Sequence, residues 1–157
     1  MESGRKKRSA MDCALHYLGY RMRSQKEMRD HLQSKRYEPE EIDQAMTRLQ
    51  ELGLLDDAQF AVELVQSKSK GRVGQRKLKQ ALYRAGIAED EQLSALATYP
   101  VEQEQTACDE LFAKLAQNHG TDMKGLAKIQ RALLSRGFGY DLIRQSARRF
   151  EQGEDWL

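Results

Sequence analysis

Proline and cysteine are almost missing from this chain of 157 residues, and aromatic side chains are few: 4 Phe, 6 Tyr and 1 Trp. The two prolines, Pro39 and Pro100, leave long stretches free of the side chain that interrupts helices. The two cysteines, Cys13 and Cys108, stand far apart and match no metal or redox spacing. Each sits among apolar neighbours, where a free thiol behaves as a small hydrophobe. His16, His31 and His119 are equally scattered, so no metal ligand set and no cofactor are expected. No run approaches the ~18 consecutive apolar residues of a membrane span. The basic start, Arg5, Lys6, Lys7 and Arg8, leads into a segment carrying Asp12 and His16, not into an apolar signal core. The expectation is a soluble, cytoplasmic protein with no membrane partner. Catalytic patterns are lacking too: no Ser/His/Asp constellation, no Cys/His motif and no glycine-rich strand-to-helix turn. No catalytic residue is assigned, and the chain does not read as an enzyme.

What is present is a repeat. Met28 to Tyr37 (MRDHLQSKRY), Leu78 to Ile87 (LKQALYRAGI) and Ile129 to Phe138 (IQRALLSRGF) superimpose without gaps, at offsets of 50 and 51 residues. The anchors are Met28, Leu32 and Tyr37; Leu78, Leu82 and Ile87; and Ile129, Leu133 and Phe138. Apolar residues four apart share one face of a helix. Gly86 and Gly137 then accept the left-handed conformation that ends a helix, and the next apolar residue folds back onto the last turn. Arg36 stands at the equivalent place in the first copy. Lacking glycine's freedom, it is expected to end its helix differently, with Pro39 starting the next.

A helix is expected before and after each anchor helix. Met11, Leu15 and Leu18 make a stripe ahead of Ser24, which forms a capping-box pair with Glu27. Ile42, Met46, Leu49 and Leu52 make another that stops at Gly53. The second copy offers Phe60 and Leu64, then Leu93 and Leu96; the third offers Leu111 and Leu115, then Leu142, Ile143 and Phe150. No segment alternates with period two. The expected fold is all-α: nine helices in three tandem three-helix repeats, forming an elongated, curved array in which neighbours complete each other's small cores. The expected boundaries are a basic tail over 1–8, units over 9–54, 55–100 and 101–151, and a tail over 152–157.

Charge is laid out in blocks behind a net of +2. Residues 5–37 carry ten basic and three acidic side chains, and 38–63 carry one and eight. Residues 64–88 hold seven basic and no acidic ones, and 89–110 the reverse, seven acidic and none basic. Residues 124–149 return to seven basic and one acidic. Blocks of this kind can be solvated faces that attract one another along the array, each exposed pair worth little. The central block is dense enough to suggest more: Lys68, Lys70, Arg72, Arg76, Lys77, Lys79 and Arg84 make a positive potential suited to phosphates or an acidic protein surface. Arg131 and Arg136 are weaker candidates of the same kind. The acidic blocks argue against plain DNA binding, and a partner bearing both signs of charge fits better. Gly71-Arg72-Val73-Gly74 could offer amides to an anion. It lacks the Walker spacing, however, and reads as a turn. Asp56 and Asp57, just ahead of Phe60, read as helix caps.

The run Gly53-Leu54-Leu55-Asp56-Asp57-Ala58-Gln59-Phe60-Ala61 resembles the hallmark of the RecX regulatory proteins, G-(Y/L)-L-(D/N)-D-x-x-F-A. Ser24 to Leu32 with Pro39-Glu40-Glu41-Ile42 resembles that family's early motif. Ser67 to Gly71 with Leu78, Leu82 and Gly86-Ile87 resembles its second-unit pattern, and Leu133 to Phe138 with Ile143 its closing one. Arg36 departs from the family's frequent glycine, and Ala85 from a frequent basic residue. The resemblance covers about residues 10–150. It implies a non-enzymatic modulator that binds the RecA–DNA filament along its groove and inhibits strand exchange, ATP hydrolysis and coprotease activity. The expected partner is the RecA filament on DNA, with room for a weak direct DNA contact, and the protein is expected to be a monomer. A stand-alone helical DNA-binding protein, of transcriptional type, is the alternative.

Overall fold

The computed structural model describes residues 7–153. Arg5 and Lys6 of the basic tail, and 154–157 of the C-terminal tail, lie outside the described residues. The described chain forms nine α-helices and no strand. The first unit is α1 (Ala10–Leu18), α2 (Gln25–Ser34) and α3 (Pro39–Glu51). The second is α4 (Asp57–Ser69), α5 (Gln75–Arg84) and α6 (Glu89–Leu96), and the third is α7 (Val101–His119), α8 (Met123–Ser135) and α9 (Tyr140–Glu151).

Local chemistry sets the helix starts. Ser9, Asp56 and Asp122 each accept a bond from the amide three residues on. Ser24 and Glu27 complete the reciprocal capping box. Pro39 occupies the first turn of α3, where its missing N–H costs nothing.

The ends of the second helices repeat to the atom. The Tyr37, Ile87 and Phe138 amides donate to the carbonyls of Leu32, Leu82 and Leu133, and the Arg36, Gly86 and Gly137 amides donate to those of Gln33, Tyr83 and Leu134. This is the Schellman pair in all three copies. The expectation that Arg36 would break the pattern is therefore corrected: Arg36 takes φ +64°, the left-handed conformation of Gly86 and Gly137. Burial of Tyr37 onto the core, with its hydroxyl donating to the Arg8 carbonyl at 2.6 Å, holds the arginine there despite its Cβ.

Three separate cores lie one in each unit. Met28, Leu32, Leu78, Leu82, Ile129, Leu133 and Phe138 are all 0% exposed. Each such side chain contributes about 1.5–3 kcal/mol of transfer free energy. Three stripe residues need correction, since Leu15, Leu52 and Leu93 lie on the surface. In α1 the buried positions are Ala10 and Ala14, whose small side chains let the helix lie close to its neighbours. In α6 the inward face runs through Ala95 and Leu96, continuing to Tyr99, and turns Leu93 outward.

The substantial helix-to-helix packing is all within units. Units meet instead through helix ends and turns, and this is what positions the charged surface.

Candidate interaction surface

The second helices are joined head to tail. Where α5 ends, the Ala85 carbonyl accepts a 2.6 Å bond from Ser24 Oγ at the start of α2. Where α8 ends, the Arg136 carbonyl accepts a 2.8 Å bond from the Gly74 amide at the start of α5. Ser24 and Gly74 are equivalent positions, as are Ala85 and Arg136. The positive end of each macrodipole therefore meets the negative end of the next.

A carboxylate from the following unit completes each join. Asp57 Oδ1 accepts from the Gln25 amide at 2.8 Å, and Glu104 Oε2 accepts from the Gln75 amide. The adjacent aspartates of the Asp56-Asp57 pair thus divide the capping. Asp56 caps its own helix, and Asp57 reaches back to cap α2. Burial raises the Asp57 carboxyl against the opposing pull of the Gln25 amide, with Asp56 and Glu27 adding to the rise. Burial likewise raises Glu104, opposed by the Gln75 amide and by Lys79.

The turn Gly71–Gly74 is part of the second joint. A Cβ at Gly74 would stand 2.3 Å from the Gly137 carbonyl, so two glycines are needed for this backbone-to-backbone approach. Arg72, at φ +54°, pairs with Glu110 of α7 at 3.0 Å, and Arg136 Nη1 donates to the Gly71 carbonyl at 3.1 Å. These two candidates are occupied in joining units.

The charged ends of the remaining candidates in the central block are not, although the Arg76 amide donates to the Gly137 carbonyl at 3.3 Å and the Lys77 backbone and Cβ lie against Gly137 in the same joint. Arg76, Lys77, Lys79 and Arg84 all project from α5 as exposed side chains, and Lys68 and Lys70 lie exposed at the end of α4. Among the described residues none of these six forms an ion pair. The first unit differs: Lys26 of α2 pairs with Asp30 and Arg29 with Asp43, both at 2.8 Å. Helical spacing sets Arg76, Lys79, Gln80 and Tyr83 on one outward face of α5, with Lys77 and Arg84 on its flank. Tyr83 is 78% exposed in the middle of these cations. Sequence reasoning passed over it; the signal was an aromatic one position after a core leucine, where a helix turns outward.

Lys68 and Arg84 also line a groove with an apolar floor of Met22, Phe60 and Leu64, where the first and second units meet. Arg76 borders another at the second joint, facing Tyr140 and Arg144 of α9. Arg131 is exposed on α8, and its side chain donates to the Ala127 carbonyl of its own helix at 3.4 Å. Among the described residues no group of three or more His, Cys, Asp or Glu could hold a metal, and no helix is long and apolar enough to cross a membrane. The Cys108 thiol is pushed up to about 11 by burial, as suits an inert core residue.

Family models describing the first, second and third three-helix domains of RecX match residues 10–49, 56–96 and 102–145 in that order. The chain belongs to the RecX family. It is 31% identical over 140 residues to the regulatory protein RecX of Chlorobium phaeobacteroides, covering 88% of this chain and 91% of the relative. Against the regulatory proteins RecX of Oceanobacillus iheyensis and Halalkalibacterium halodurans it is 32% and 35% identical over 93% and 91% of its own length. It spans about half of each of those relatives, 55% and 56%. The crystal structure of RecX from Lactobacillus salivarius superimposes with a TM-score of 0.81 at 27% identity, covering 91% of this chain and 95% of that one. A second RecX crystal structure, at 22% identity and a TM-score of 0.81, shares the fold. The RecX three-helix domains fall on α1–α3, α4–α6 and α7–α9, and the hallmark run from Gly53 to Ala61 lies at the first joint, with Asp57 as its cap.

Proposed function

We propose that this RecX protein is a non-enzymatic regulator that binds a RecA–DNA filament through α5 and restrains RecA's recombinase, ATPase and coprotease activities. The observation that carries the reading is the contrast between equivalent helices. Lys26 and Arg29 on α2 are paired with carboxylates of their own unit, whereas among the described residues Arg76, Lys77, Lys79 and Arg84 on α5 form no ion pair, Lys79 acting on Glu104 of the next unit only through its field. Leaving several like charges together and unmatched disfavours the isolated fold and favours a complementary surface. Arg72 and Arg136 serve this reading by holding the second joint, so that α5 keeps a set direction relative to α8.

On this reading the work of the face is charge neutralisation and hydrogen bonding. The test is RecA ATPase on single-stranded DNA with increasing amounts of the protein. Arg76→Glu with Lys77→Glu is expected to raise the half-inhibiting concentration about tenfold or more, with helicity unchanged, as two lost charged contacts would do. Undiminished inhibition by the double variant would sink the assignment. Tight, steeply salt-dependent binding to bare duplex without RecA would favour the stand-alone DNA-binding alternative.

A further inference from the structure

The first unit carries a second basic pocket, remote in sequence from α5 and built differently. Its wall holds five basic side chains, Lys7, Arg8, His16, His31 and Lys35, and no carboxylate. None of the five takes part in an ion pair among the described residues. The nearby carboxylate of Glu41 is engaged by the Ala10 amide at 2.8 Å.

The same wall holds three aromatic rings, Tyr17, Tyr20 and Tyr37. They already display the contacts that such a mixture makes. The Tyr17 and His31 rings stack at 3.7 Å with their planes 6° apart. The Arg23 guanidinium lies 3.6 Å from the Tyr17 ring centre, and the Lys7 ammonium 4.4 Å from that of Tyr37. Tyr20 is the exception. It meets His16 edge-on and is 73% exposed, so a flat ring remains open at the rim of a cationic cavity. Burial, then the Lys35 and Arg23 charges, hold the His31 imidazole below its ordinary range, in keeping with a positive field there.

An open aromatic ring beside several unmatched cations is the pairing that receives a base and its phosphate. We propose that this pocket binds a nucleotide of single-stranded nucleic acid, the base stacking on Tyr20 and the phosphate held by Lys35, Lys7 and Arg8. An acidic peptide would use the cations but leave the ring without purpose. Duplex DNA keeps its bases stacked inside and would do the same. The assignment does not rest on the α5 reading, which uses other residues and another unit.

The test is fluorescence anisotropy with a labelled twelve-residue oligothymidylate, alongside ultraviolet cross-linking of a 5-iodouracil version. Tyr20→Ala with Lys35→Ala is expected to weaken binding about tenfold, since base stacking on an aromatic is worth about 1–3 kcal/mol by alanine substitution. Cross-links are expected in the segment from Ser9 to Arg21. Tyr20→Phe, which keeps the ring, should bind as the parent does. The Arg76→Glu, Lys77→Glu protein should keep the Tyr20 cross-link, which separates failure here from failure of the α5 reading. Unchanged affinity in the Tyr20, Lys35 variant at unchanged thermal stability overturns the proposal. So do equal binding of a polyglutamate of matched charge, cross-links only outside the first unit, or thymidine monophosphate binding as tightly as the oligomer.

Discussion

The joint between the first and second units and the joint between the second and third connect the same helix ends with different materials. At the first, a side-chain hydroxyl, Ser24 Oγ, makes the bond, and the flexible Lys26 chain lies against Gly86. At the second, the bond comes from a main-chain amide, Gly74 and Gly137 touch backbone to backbone, and Arg72 and Arg136 add two further ties. One plan is thus carried out in a form that can yield and in a form that cannot. The head-to-tail bond is accepted by a main-chain carbonyl in both, so there the difference lies in what approaches it.

The largest test of this contrast is a single methyl group. Gly74→Ala would drive its Cβ into the Gly137 carbonyl, and a loss of about 3 kcal/mol is expected at this unyielding contact. Gly86→Ala meets only the Lys26 side chain and suffers mainly from its φ of +76°, for about 1–2 kcal/mol. Urea unfolding of the two variants gives the comparison, and equal losses would erase the distinction between the joints. Next in size, Ser24→Ala removes both a cap and the tie to Ala85 and should cost about 1–2 kcal/mol in the same assay.

A gain is expected at the turn that departs from glycine. Arg36→Gly relieves a left-handed arginine and should raise stability by about 0.5–1 kcal/mol, read as a shift in the thermal midpoint. The smallest effect concerns the carboxylates of the joints. Asp57 and Glu104 are raised by burial, so their folded forms hold protons more readily than the unfolded chain does. The resulting burden is absent below the ordinary carboxylate range and appears as pH climbs through the raised folded values. Glu104→Gln should therefore exceed the parent in stability at pH 7 and match it near pH 4, as compared by urea midpoints. Glu27 runs the other way. Burial opposes its charge, but the Arg21 and Ser24 bonds lower it overall, and its contribution disappears as pH falls through that lowered value.

Much of this architecture is legible in the amino-acid order because its determinants are local. An apolar residue and a leucine four later, followed five on by a ring or isoleucine, specify a helix and its closing turn without reference to the rest of the chain. The turn at Arg36 was not legible, since intrinsic preference points to glycine and only the burial of Tyr37 overrides it. The capping role of Asp56 could be read from its place before a helix. That Asp57 caps α2 could not, because it depends on how one unit sits against another. Arg72 and Arg136 looked like free cations for the same reason: charge is visible in a sequence, but whether a partner lies across a joint is not. Tyr83 and the Tyr20 pocket are not legible in the amino-acid order, because a sequence does not say which ring at helical spacing faces out of the core.

The confinement of helix packing to the interior of each unit has a mechanical meaning. Deforming a packed core forces many contacts apart at once, while bending at a joint strains only a few bonds. The soft modes of the molecule must then be rotations about its two joints, with the bodies between them stiff. With its backbone contact and arginine ties, the second joint is expected to be the stiffer, leaving the first unit as the arm that swings. Under the proposed docking of α5, that arm is free to follow a surface whose pitch varies.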